Sequence, residues 1–236
     1  MFGPGLETTT SCLVTNILWK SEFKTIGMIP GKDGYGSGIK LRLFNHKPFN
    51  LTILYTNVSK VRNSNNHELD SNKLILSKND AETNQVMYEL QPQVKEACAD
   101  ASAFIYVIDN KHLSMFETDN KKNNKLSQVS TNLSDPTENY ILELSVLMKE
   151  ANRELPLLVL SCSANDQNTN MINDQLNDSL SCAKIVNKLK LFDLNCQWQI
   201  RNCQIFENKM RDIIIGFEWL LGKLEQKYLI ERANNI

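Results

Sequence analysis

Two short apolar runs constrain the fold of this chain more than any other feature: Ala103-Phe-Ile-Tyr-Val-Ile108 and Pro156-Leu-Leu-Val-Leu-Ser161. Neither alternates apolar with polar residues, and each is short enough to be a strand covered on both faces. Strands of that kind belong to parallel sheets, whose crossover connections lay helices on either face. Helical spacing appears where those crossovers are needed. Asn139–Ala151 carries Ile141, Leu142, Leu144, Val146, Leu147 and Met148. At the other end of the chain, Met210, Ile213, Ile214, Phe217, Leu220, Leu221, Leu224 and Tyr228 recur at helical spacing and form one broad apolar face.

The remaining elements fit the same plan. A first helix is expected over Ser11–Phe23, after the turn Gly3-Pro4-Gly5, and a glycine-rich loop follows at Gly31–Gly38. Ile39–Phe44 and Phe49–Tyr55 read as two strands joined by Asn45-His46-Lys47-Pro48. A short helix is expected around His67–Ser77, and another over Gln91–Asp100 with Pro92 in its first turn. Ser179–Leu191 reads as a helix and Cys196–Arg201 as a last strand. Two Asn-rich polar segments, about 109–137 and 164–178, read as insertions. The expectation is a single α/β domain over 1–236: an open, mostly parallel sheet with helices on both faces.

Composition narrows the function by exclusion. The formal net charge of -1 offers no global attraction for nucleic acid. No apolar run approaches the length that crosses a bilayer, so no membrane partner is expected. The start, Met1-Phe2-Gly3-Pro4-Gly5, has no charged leader followed by an apolar stretch. The six cysteines form no CxxC pair, and several sit inside apolar runs, as buried free thiols do in reducing compartments. A cytoplasmic or nuclear location is expected. His46, His67 and His112 show no metal-binding spacing, and no GxSxG nucleophile motif is present.

The motifs of a nucleotide-hydrolysing α/β protein fail one by one. A phosphate-binding loop needs GxxxxGK followed by Ser or Thr, between a strand and a helix. Gly31-Lys32 has Ile26 where the first glycine belongs, Asp33 in place of the hydroxyl, and a strand after it. Gly3-Pro4-Gly5-Leu6 stands where such a loop would fall. It lacks Lys, carries Glu7, and the strand that should lead into it is missing. Seven of the nine glycines lie at or before Gly38 and the next is Gly216, so a DxxG after the third strand is impossible. After Leu157-Leu-Val-Leu160, Ser161-Cys162-Ser163-Ala164 stands where a guanine-reading NKxD would begin. No cofactor is expected, and no catalysis.

The order of strands and helices resembles an Arf-like small GTPase. Phe104–Asp109 looks like that family's fourth strand, Pro156–Leu160 like its fifth, and Gly216-Phe-Glu-Trp-Leu220 like the start of its last helix. A more specific resemblance, to the F-box only protein 4 family, is carried by several blocks in one order. They are Phe2–Glu7, Asp33–Gly38, Phe49–Tyr55, Phe104–Val107, Leu157–Cys162 and Glu218–Leu220. That family joins an F-box, which docks on the Skp1–cullin ligase core, to an atypical small-GTPase-like domain that recruits the target. This chain resembles the second part.

The resemblance implies a substrate-recognition domain that binds a protein for ubiquitination, a telomere-repeat-binding shelterin protein among the candidates. Its partner contact, by the same resemblance, falls on the helix before the last strand, at Ser179, Cys182, Val186 and Leu189. The competing reading of Cys182, Val186 and Leu189 is a buried stripe. Alternatives for the whole chain are a nucleotide-binding Arf-like GTPase with degenerate motifs, or a pseudo-GTPase scaffold unrelated to ubiquitin.

Overall fold

A computed structural model describes residues 1–3, 10–30, 37–54, 74–79, 86–110, 113, 136–150, 154–163, 181–204 and 210–234. Its elements in chain order begin with α1 (Thr10–Trp19), β1 (Phe23–Ile29), β2 (Gly38–Leu43) and β3 (Phe49–Thr52). Next come β4 (Ile75–Asn79), β5 (Val86–Leu90), α2 (Pro92–Ala99), β6 (Phe104–Asp109) and α3 (Pro136–Glu150). The chain closes with β7 (Leu157–Ser163), α4 (Cys182–Lys188), a 3-10 turn (Leu191–Asp193), β8 (Trp198–Gln204) and α5 (Arg211–Asn234).

The two apolar runs are the parallel strands β6 and β7, and β8 continues the sheet in parallel on the far side of β7. Alternate residues of these strands serve two cores. Phe104, Tyr106, Ile108, Leu157 and Val159 pack with α2, α3 and α4. Ile105, Val107, Leu158, Leu160 and Cys162 pack with α1 and α5. Burial on both faces is why these strands show no polar alternation.

The rest of the sheet is antiparallel, so "mostly parallel" holds for one half alone. β1, β2 and β3 form an antiparallel ladder in that order, and β4 pairs with β5 in a separate two-stranded antiparallel sheet. Phe23–Ile29 is a strand where the sequence suggested the end of a helix and then loop. The first helix stops at Trp19, and Phe23 is buried opposite Leu43. Ile75–Asn79 is likewise a strand, not the end of a helix, because antiparallel pairing with β5 takes up backbone groups along its whole length. The other residues of the expected His67–Ser77 helix, through 73, lie outside the described residues, as do 31–36 and 164–180.

Met1–Gly3 takes the place between the two halves. The Met1 amine donates to the Thr52 carbonyl at 2.7 Å and the Met1 carbonyl accepts from the Leu54 N–H at 2.9 Å. Phe2 donates to Ile105 at 2.9 Å and accepts from Val107 at 2.8 Å, a parallel bridge to Tyr106. Both sets have the alternation of a parallel ladder. The two residues therefore stand where a central strand would, and the order across the sheet reads β1, β2, β3, Met1–Phe2, β6, β7, β8.

Helix α5 seals the second core. Phe217 is buried with its ring edge-on to Phe23 at 5.2 Å and tilted against Phe49 at 6.0 Å. Gly216 lets the helix lie close: a Cβ there would meet the Leu158 methyls at 3.0 and 3.1 Å. The apolar face expected to reach Tyr228 runs out before it. Tyr228, Leu229 and Ile230 are exposed, with Lys47 Nζ 4.7 Å above the Tyr228 ring.

Candidate partner-binding surface

Helix α4 is short, and its start is fixed locally. Ser181 is extended and its hydroxyl accepts from the Lys184 N–H at 3.4 Å, an N-cap that leaves Cys182 as the first helical residue. Lys190 closes the segment in the left-handed region at φ 50°, turning the chain into the Leu191–Asp193 turn and then β8. A non-glycine residue there is uncommon, and the contacts on either side hold it. Lys188 reaches back to the Leu113 carbonyl at 3.1 Å.

The structure separates the four residues nominated from sequence. Ser179 lies outside the described residues. Cys182 is half-buried at the first turn. Val186 is 6% exposed and Leu189 2%, and both pack in the first core beside Ile185 and Leu191. Cys182 and Val186 do share a side of the helix, and that side rolls into the core along its length. The residues that α4 and its flanks turn outward are Ala183, Lys184, Asn187 and Lys190.

Phe192, which the sequence reading did not single out, is the apolar group beside them that faces solvent. It is 74% exposed, with its ring edge-on to Trp198 at 5.4 Å. Its signal in the sequence is faint: one aromatic in Leu191-Phe192-Asp193, which helical spacing assigns to the same stripe as Leu189. The reversal at Lys190 breaks that spacing and turns Phe192 outward.

Three of the described thiols are held away from the thiolate form. Burial pushes the Cys98 and Cys196 thiols up, away from the thiolate. The Cys203 thiol is pushed up by its hydrogen bond with Cys162 first and by burial second. Near the C-terminal ends of β6 and β7, Asn110 donates to the Ser161 hydroxyl at 2.9 Å, with both residues buried. The Tyr106 hydroxyl lies against the Tyr140 carbonyl at 3.3 Å and against the Glu143 carboxylate, and desolvation holds it well above its ordinary range. The Tyr106 contacts tie the sheet to α3, and the Asn110–Ser161 bond ties β6 to β7.

The α4–β8 corner presents an aromatic pair, Phe192 on Trp198, rimmed by polar residues of a short helix. No family model matches the chain. Curated relatives do, and all three bear one name. The chain is homologous to F-box only protein 4 of Bos taurus, 27% identical over 233 residues, which is 97% of this chain. It is 27% identical to F-box only protein 4 of Homo sapiens and 26% identical to that of Mus musculus, in each case over 232 residues or 96% of this chain. The chain spans about half (53%) of the length of these relatives.

Proposed function

We propose that this chain is the substrate-recognition domain of an F-box-type ubiquitin ligase subunit. In this reading it is a small-GTPase-like domain that has lost nucleotide chemistry. It grips a target protein and contributes no catalysis. The observation that carries the proposal is homology to F-box only protein 4 along nearly the whole chain, which is the kind of subunit that name denotes. Docking on the Skp1–cullin core belongs, in this reading, to the half of the relatives that the chain does not span.

The sheet supports the small-GTPase part. Its order runs through a central parallel position at Met1–Phe2, with an antiparallel edge on one side and β6, β7 and β8 on the other. In the sequence, Gly3-Pro4-Gly5 follows that central position, where a phosphate-binding loop would fall, without the lysine that phosphate needs. The partner surface is the α4–β8 corner, with Cys182 at its edge and Phe192 on Trp198 as the anchor. Aromatic residues in such settings dominate binding energy. A telomere-repeat-binding shelterin protein is the candidate target, met in the cytoplasm or nucleus.

Two measurements test this. Calorimetry with GTP and Mg²⁺ is expected to give no micromolar binding, and such binding would return the chain to the nucleotide-binding class. Pull-down of the shelterin protein's dimerisation domain is expected to succeed and to weaken by about tenfold or more with Phe192→Ala. Capture unaffected by Phe192→Ala and by Cys182→Arg would remove the α4–β8 corner from the reading.

A further inference from the structure

The antiparallel half of the sheet carries a charge pattern that its own fold does not explain. Strands β1, β2 and β3 contain Lys24, Lys40 and Arg42 and no acidic residue at all. The three cations are exposed, while Ile39, Leu41 and Leu43 on the opposite side of β2 are buried against α1 and α5. Lys40 and Arg42 lie two apart and share the outer face. Lys24 is the direct cross-strand partner of Arg42. Like charges placed directly opposite on a sheet destabilise it.

The pair also lines a groove. Lys24 and Arg42, with Ser21, Glu22 and Phe44, surround about 350 Å³ of open space. Phe44 forms one wall, 49% exposed and held at φ 45°. That left-handed backbone is fixed by the Phe44 N–H donating to the Glu22 carbonyl at 3.3 Å. The single acid of the groove, Glu22, accepts from the Ser21 hydroxyl at 3.1 Å. On the far side of Phe44 a second groove of about 460 Å³, which shares Glu22, brings in Lys20, Arg211, the acidic Glu218 and the apolar Ile214 and Ile215. Cations therefore outnumber acids along a trough with an aromatic wall, in a chain whose net charge is only -1.

We infer that the outer face of β1–β2, centred on Lys24 and Arg42 and walled by Phe44, docks an acidic segment of a partner protein that carries an apolar side chain. A guanidinium and an ammonium side by side fit carboxylates, and anions between them relieve their mutual repulsion. The apolar wall and second groove favour a peptide over a bare anion. This surface lies apart from the α4–β8 corner, and the inference does not depend on the ligase reading.

The test is fluorescence anisotropy on the whole chain with a fluorescein-labelled peptide of Glu, Asp and Leu, beside its Gln and Asn counterpart. Saturable binding of the acidic peptide is expected, weakening steeply with added salt. Lys24→Glu with Arg42→Glu is expected to lower the affinity by about tenfold or more, and Phe44→Ala to lower it with the salt dependence retained. Should the charge-reversed protein not fold, Lys24→Gln with Arg42→Gln replaces it. Four results would overturn the inference: no saturable binding at low salt, equal binding of the neutral peptide, unchanged affinity in the charge variants, or tighter binding of a single-stranded oligonucleotide or phosphatidylserine vesicles than of the peptide.

Discussion

Gly3 sits at φ +119°, and a Cβ there would lie 2.3 Å from the Val107 carbonyl oxygen and 2.8 Å from its nitrogen. Both atoms are backbone of a buried central strand and cannot give way. Gly3→Ala is therefore expected to cost on the order of 3 kcal/mol or more, or to prevent folding, as read by urea denaturation.

Strand β1 shows what an element can hide. Its sequence, Phe-Lys-Thr-Ile-Gly-Met-Ile, carries a register shift between Thr25 and Gly27, so no clean alternation survives for the eye to find. Pairing with β2 makes it a strand nonetheless. The same pairing sets Lys24 against Arg42, so Lys24→Gln should raise stability by roughly 0.2–1 kcal/mol at low salt. The gain should shrink in high salt, and a loss of stability in thermal melts at low salt would mean the two cations do not oppose each other. Helix α4 is the converse case. Resemblance nominates Ser179, Cys182, Val186 and Leu189 as a partner contact, with a buried stripe as the competing reading for the last three, and the segment's tertiary setting buries Val186 and Leu189 and exposes Phe192.

At the scale of the whole molecule, one sheet separates two cores, and β7 belongs to both. Leu157 and Leu158 are adjacent, fully buried, and point to opposite cores. Each truncation to Ala is expected to cost about 2–5 kcal/mol. Because the two cores share the strands between them, both variants should lower a single common unfolding transition. Two separate transitions in calorimetry would show that the cores unfold independently.

Local chemistry in the sequence was enough to specify β6, β7, α2, α3 and α5. Continuous apolar runs and helical spacing report burial directly, whatever the partner. It was also enough to specify the absence of nucleotide-binding motifs, because those are fixed residues at fixed offsets. The resemblance to F-box only protein 4 was legible too, as short blocks in one order, and the homology extends it to nearly the whole chain. Tertiary structure alone decided the rest. Met1–Phe2 became a central strand position because β3 and β6 offer hydrogen bonds from both sides, which two residues cannot signal by themselves. Which residues around α4 face solvent was decided by the turn at Lys190, and the opposition of Lys24 to Arg42 by a cross-strand register. Such facts depend on residues far apart in the chain, and no local pattern carries them.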